Sequence, residues 1–164
     1  MSGANFYKQT EALLSHYKQL KMFVEIKQIE LEEIDYYAVP PITLEYTGGG
    51  GGEGSSTENA AVRIADKKER IESQIRKTNR KLERIEMALS TLNDTALDII
   101  TDRYINKKQW WQIAYNSHCN ERWAKELRKR AVWEIAVALF GEAALEQKQQ
   151  QSTNTAHFAQ KDVL

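Results

Sequence analysis

The chain has 164 residues with 23 basic and 23 acidic side chains, so its formal net charge is zero. Nucleic acid is therefore not attracted to the chain as a whole, and any attraction must come from charge that is segregated locally. Cys119 is the single cysteine, which excludes an intramolecular disulfide framework and suits a reducing compartment. Because strand signals and long apolar runs are almost absent, we expect an all-α, cytoplasmic protein that does not associate with membranes.

Two segments carry apolar residues in alternating steps of four and three, the spacing of a heptad seam. The first segment covers residues 1–37 and the second covers residues 58–92. Their seam positions are Leu13, Tyr17, Leu20, Val24, Lys27, Leu31 and Ile34, and then Ile64, Lys68, Ile71, Ile75, Thr78, Leu82, Ile85, Leu89 and Leu92. The similar lengths predict a long antiparallel coiled-coil hairpin, whose seams can close within one chain or between two.

A linker separates the two seams. Residues 38–57 include Pro40, Pro41 and five consecutive glycines, which oppose a continuous helix and predict flexibility. Ser55 and Glu58 have the spacing of a capping box that opens the second helix.

We interpret the hairpin as a spacer or dimerisation element. An alternative is that its second helix contacts DNA through a basic stripe of Arg76, Lys77, Arg80, Lys81 and Arg84.

Residues 93–141 have the spacing of a helix-turn-helix domain. Asn93 or Asp94 caps a short helix, and "NKKQWWQIAYN" predicts a second one. Ser117, His118 and Cys119 make a break, after which Asn120 is the N-cap of the last helix. The residues expected to face inward are Ala114, Ala124 and Leu127. His118 replaces the usual glycine of the turn and must adopt a positive φ.

The outer side of the last helix is a candidate DNA-binding surface. Between Asn120 and Arg130 five basic residues stand against two acidic ones, so charge is segregated here. Basic side chains near the start of such a helix reach guanine edges and phosphates, and a carboxylate can accept from cytosine. The candidate DNA contacts are Lys107, Lys108, Asn120, Glu121, Arg122, Trp123, Lys125, Glu126, Arg128 and Lys129.

The segment "QWWQIAYNSHCNERWAKELRKRAVWEIAVALFGE" resembles the C-terminal end of phage and prophage transcriptional regulators of the ArpU and RinA kind. Those regulators are similar to the DNA-binding C-terminal domain of sigma factors. The resemblance rests on Trp110, the Ile113-Ala114 pair, Asn120, the Arg130-Ala131 pair and the ending "ALFGE". A Leu-Gly pair is more usual where this chain has Ser117 and His118. With looser similarity upstream, it covers roughly residues 7–142. It implies a phage-encoded activator of late genes, with DNA and host RNA polymerase as partners, in the bacterial cytoplasm at the nucleoid.

Other features bear on partners and chemistry. The last helix carries more apolar residues than a small three-helix domain can cover, which predicts either packing against the hairpin or dimerisation. We expect a homodimer, because helix-turn-helix proteins often read half-sites as pairs. Trp111 and Tyr115 either pack partly against the hairpin or contact polymerase.

We find no catalytic constellation, phosphate loop or zinc-type spacing, and expect no enzyme activity and no cofactor. Residues 142–164 are polar and Gln-rich, which predicts a disordered tail. The alternative functions are a small terminase subunit and a coiled-coil adaptor that does not bind DNA.

Overall fold

A computed structural model of the chain describes residues 5–38 and 54–159. These residues form helices joined by short connections, and no strand occurs within these two ranges, so the all-α class is confirmed for them. A π-helical turn, Thr101–Ile105, continues the fourth helix. The helices are α1 (Phe6–Ser15), α2 (Tyr17–Ala38), α3 (Gly54–Leu89), α4 (Asp94–Ile100), α5 (Trp110–Asn116), α6 (Glu121–Phe140) and α7 (Glu142–Ala159).

The chain divides into two compact units. One unit is Gln19–Lys81, which holds most of α2 and α3. The other unit combines Met1–Lys18 with Leu82–Leu164, so it contains α1, the end of α3 and α4–α7. The first 37 residues therefore do not form the single helix that the first seam predicted. The break falls at His16, and α1 belongs to the second unit because it packs on α6 and α7.

In the Gln19–Lys81 unit, ion pairs join α2 to α3, and some of the predicted seam residues are buried. Val24 and Ile71 are buried seam residues, whereas Ile64 is exposed. Lys67 Nζ lies 3.6 Å from a carboxylate oxygen of Glu30, and Lys68 pairs with Asp35. The polar seam position at residue 68 is thus occupied by an interhelical ion pair.

The core of the other unit is built from small and branched apolar residues on α1 and on α3–α7. Leu14 of α1 is almost fully buried there, as is Ile85 near the end of α3. The Phe6 and Phe140 rings lie 5.1 Å apart, which joins α1 to the end of α6. The remaining core residues are Leu82, Ala88, Leu89, Leu92, Ala96, Ile99, Ile100, Tyr104, Ile113, Ala114, Ala124, Ala131, Val132, Trp133, Ile135, Ala136 and Ala144.

The segment after residue 141 is helical, which corrects the prediction of a disordered tail. Gly141 separates the last two helices with a φ of 68°, a conformation that glycine adopts without strain. Ala144 of α7 is buried against Trp133, and the Gln147 side chain accepts a hydrogen bond from the Phe6 N–H at 2.9 Å. Polar residues of this kind are good helix formers, and contacts with α1 and α6 stabilise the helix. Residues 160–164 lie outside the described ranges.

The beginning of α3 also differs from the prediction. The helix already includes Gly54, so Ser55 lies inside it and is not the N-cap that the capping box required. Residues 54–57 therefore belong to α3 rather than to the linker. The rest of the predicted linker, residues 39–53, falls outside the described residues.

Candidate nucleic-acid interface

The turn between α5 and α6 has the hydrogen bonds of a Schellman motif. The Cys119 N–H donates to the Ala114 carbonyl at 3.0 Å, and the His118 N–H donates to the Tyr115 carbonyl at 3.2 Å. This motif needs a left-handed residue after the helix end, and His118 has a φ of 51°. The positive φ predicted for His118 is confirmed, although glycine is the usual residue at such a position.

Side-chain caps fix where the helices around this turn begin. The Asn120 Oδ1 accepts a hydrogen bond from the Trp123 N–H at 2.8 Å, which confirms Asn120 as the N-cap of α6. Asn93 caps α4 in the same way, accepting from the Ala96 N–H at 2.9 Å. The sequence left Asn93 and Asp94 as alternatives, and the structure selects Asn93.

The inner side of α6 packs against α4 and α5, as the inward residues predicted. Ile99, Ile113 and Ala124 form a cluster with no exposed surface. Leu127, Trp110 and Cys119 pack around it. Because the small Ala124 occupies the contact on α6, the axis of α6 can approach those of α4 and α5 closely. The opposite side of α6 faces outward.

The outer side of α6 is exposed along its first three turns. The exposed residues are Glu121, Arg122, Trp123, Lys125, Glu126, Lys129 and Arg130. Lys125 Nζ lies 3.4 Å from the Glu121 carboxylate one turn earlier, which is an exposed pair of small energetic weight. All of the candidate contacts on α6 except Arg128 thus lie on this exposed surface. Asn120, the N-cap, lies at its beginning.

Arg128 is the exception, because its side chain contacts other segments of the protein. Its Nη1 lies 3.2 Å from the Glu11 carboxylate and 3.4 Å from the Tyr104 hydroxyl, so it faces α1 and the π-helical turn. The side chain is half-buried, and its Nε has no hydrogen-bond partner among the described residues. Position 128 follows the buried Ala124 by one helical turn, which was the available sequence signal that it points inward.

The Glu11–Tyr104–Arg128 cluster keeps a protonated tyrosine in the protein interior. The Tyr104 hydroxyl donates to the Glu11 Oε1 at 2.6 Å. Burial raises the Tyr104 pKa, and the hydrogen bond to the carboxylate raises it further. Tyr104 therefore remains a neutral donor near pH 7, and the carboxylate of Glu11 accepts from two residues of other segments.

The two lysines before α5 contact the protein itself. Lys107 has a φ of 56°, and its Nζ donates to the Ser15 carbonyl at 3.1 Å while the residue stays exposed. Lys108 Nζ pairs with Asp102 at 2.9 Å, so its charge is locally neutralised. The structure thus places these two candidate DNA contacts just before α5, where each one contacts the protein itself.

Asp102 holds the connection between the π-helical turn and α5. Desolvation opposes ionisation of this carboxyl, but hydrogen bonds from Lys108, Asn106 and Asn116 outweigh it and lower the Asp102 pKa. The Asn106 and Asn116 amides lie 3.0 and 3.2 Å from it. The ionised form of Asp102 is thus the one that stabilises this connection.

The aromatic residues of α5 divide between two surfaces. Trp110 is half-buried, with the cationic groups of Arg103, Lys125 and Arg128 at 4.9, 5.5 and 5.6 Å from its ring centroid. Trp111 is 64% exposed, and Tyr115 one turn later is 80% exposed. Both of these side chains on α5 are therefore exposed.

Neither a metal-binding cluster nor a membrane-spanning helix occurs among the described residues. They contain no cluster of three or more His, Cys, Asp or Glu side chains that could hold a metal ion. Nor does any helix among them combine the length and the apolar character needed to cross a bilayer.

In the ranges that the structure describes, this is an all-α chain with an exposed basic surface on α6. A family model described as "Protein of unknown function (DUF722)" matches residues 6–137, and the chain belongs to this family. The match extends from the first residue of α1 into α6. Neither the curated proteins nor the solved structures gave a match.

Proposed function

We propose that the protein is a sequence-specific DNA-binding transcription regulator, in which α5 and α6 form a helix-turn-helix. The observation that carries the proposal is the division of α6 into two sides. Ala124 on one side is completely buried, while Arg122, Lys125 and Lys129 on the other side are exposed. A recognition helix needs this division, because it must be held by the domain and also enter the major groove.

In the complex, the exposed side of α6 reads base edges. Arg122 and Lys125 lie in the first turn and a half of the helix, which is the part that enters the groove in proteins of this class. They donate to guanine or to phosphates, and Glu126 accepts from cytosine. Arg128 contributes indirectly by fixing α6 to α1 through Glu11.

The similarity to ArpU and RinA regulators supports a narrower assignment, an activator of late phage genes with a sigma-like DNA-binding domain. An activator must also contact RNA polymerase. Trp111 and Tyr115 are exposed on one side of α5, and exposed aromatic residues of this kind are frequent in protein interfaces. We assign the polymerase contact to this pair.

We further propose that the regulator binds as a homodimer through α2. Met22, Ile26 and Ile29 are exposed and spaced by four and three residues, as in a heptad seam. A second copy of α2 would cover them, with the hairpin of α2 and α3 serving as the pairing element. Replacing Ile26 and Ile29 by Ser should convert a dimer into a monomer in light scattering.

Selection of bound fragments from a random DNA library tests the main proposal. The native protein should enrich a defined sequence, and the variant R122A/K125A/K129A should lose the enrichment while keeping its helix content. The control variant K21A/R63A/R70A removes the same charge from the other unit and should still select the sequence. If the native protein has no salt-dependent affinity for DNA, the proposal is refuted, since phosphate contacts impose that dependence.

A further inference from the structure

The last helix forms a groove with α6 next to the candidate DNA-binding surface. The groove has a volume of about 260 Å³. Its lining combines three residues of α6 that face outward, the buried ring of Trp133, and three residues of α7. The lining residues are Glu126, Lys129, Arg130, Trp133, Lys148, Gln151 and Ser152.

The groove carries an excess of positive charge. Lys129, Arg130 and Lys148 line it, and Glu126 is the acidic residue in the lining. None of the three basic side chains forms an ion pair with another residue in the described part of the chain. Three unneutralised cations around one small opening favour an anion over a neutral or cationic ligand.

The size and position of the groove narrow the choice of anion. Pockets that enclose drug-sized ligands are larger, at about 300–1,000 Å³, so a group of phosphate size fits better than a whole cofactor. Lys129 follows Lys125 by one helical turn and lies on the same exposed side of α6. A duplex bound along this side would bring its backbone to the groove.

We infer that α7 is part of the DNA interface, and that Lys148, with Lys129 and Arg130, binds a backbone phosphate of the duplex that α6 reads. This inference rests on the proposed function and adds a contact from a segment beyond the family match. Lysine and arginine are the usual phosphate partners, lysine as a point charge and arginine through its planar fork. The contact would fix the register of α6 on the duplex without contributing sequence preference.

The salt dependence of binding tests this inference. The probe is a fluorescein-labelled, mixed-sequence duplex of about three helical turns, titrated by anisotropy between about 50 and 200 mM NaCl. Lys148→Gln should reduce the slope of log affinity against log salt by about 0.9, the value for one lost phosphate contact. Arg130→Gln should reduce it similarly. Lys21→Gln, which removes a lysine of α2 outside the groove, should leave the slope unchanged.

The possible results separate this inference from the proposed function. If Lys148→Gln keeps the native slope with unchanged helix content, α7 is not part of the interface, whatever the slope of Arg130→Gln. The proposed function survives that result provided R122A/K125A/K129A still loses affinity. If the native protein shows no salt-dependent binding, both ideas fall. Should Lys148→Gln alter helix content, the slope of Lys148→Ala decides, because alanine is a strong helix former and also lacks the charge.

Discussion

Arg128 of α6 and Glu11 of α1 form an ion pair across 117 positions of the sequence. Nη1 of Arg128 lies 3.2 Å from Oε1 of Glu11, and the Tyr104 hydroxyl donates to the same oxygen at 2.6 Å. Three distant segments therefore meet at one carboxylate. Because the pair is only partly exposed, removing one partner leaves a charge that water solvates incompletely.

Arg128→Ala should lower the free energy of unfolding by about 1–3 kcal/mol, since it leaves Glu11 and the Tyr104 hydroxyl with fewer partners. Urea denaturation followed by circular dichroism measures the change. Arg122→Ala, at an exposed position of the same helix, is the control and should stay within about 0.5 kcal/mol. For Arg128→Ala, the slope of log DNA affinity against log salt should match that of the native protein. A reduced slope would show that Arg128 contacts DNA after all.

His118→Gly should stabilise the protein by about 0.5–1 kcal/mol. A positive φ costs free energy for a residue with a Cβ, and glycine avoids this cost. The gain is partly offset because glycine increases the conformational entropy of the unfolded chain. Thermal unfolding measures the shift. His118→Ala keeps the Cβ and should show no gain, so equal stabilisation by both substitutions would contradict the assignment of strain to this φ.

The lowered Asp102 pKa makes part of the stability depend on pH. Because the folded-state pKa lies below the unfolded one, the stabilising contribution is present above the unfolded value and is lost as pH falls through the folded value. Asp102→Asn should therefore melt below the native protein at pH 7, with a difference that shrinks below about pH 4. Asp98→Asn, at an exposed position of α4, serves as the control. A melting difference for Asp102→Asn that is constant down to pH 3 would contradict this account.

Ala124→Leu should destabilise the protein by about 1–3 kcal/mol, because three methylene-sized groups must enter a fully buried contact between α5 and α6. Chemical denaturation gives the loss. Ala138→Leu adds the same volume at an exposed position of α6 and should have little effect. If Ala124→Leu is also neutral, the close approach of the two helices is not what fixes α6.

Local signals predicted the part of the fold around α5 and α6. Asn120 as N-cap and His118 with a positive φ follow from the chemistry of single residues, and both are found. Ala114 and Ala124 follow from helical periodicity, and both are buried. These signals depend on neighbours within about one helical turn, so they can be read without knowing the rest of the structure.

The contacts between distant segments could not be predicted in this way. The heptad pattern placed Leu13 and Tyr17 in one long helix, although the helix ends at Ser15 and α1 packs on α6. Helical periodicity places Arg128 one turn after Ala124, but nothing near it in the sequence identifies Glu11 as its partner. The order of α7 depends on α1 and α6, so its polar composition alone pointed to disorder.

The α1–α7 contact has a consequence for how the chain is made. The Phe6 N–H donates to the Gln147 side chain, so the unit that contains α1 and α4–α7 includes a contact between residues 141 positions apart. During synthesis α1 leaves the ribosome long before the surfaces on α6 and α7 that cover it exist. A fragment starting at residue 82, the natural choice for isolating the proposed DNA-binding domain, would lack Leu14 and Glu11, so its core would be exposed where α1 normally covers it. Adding residues 5–18 as a separate peptide should restore the covered core of this fragment.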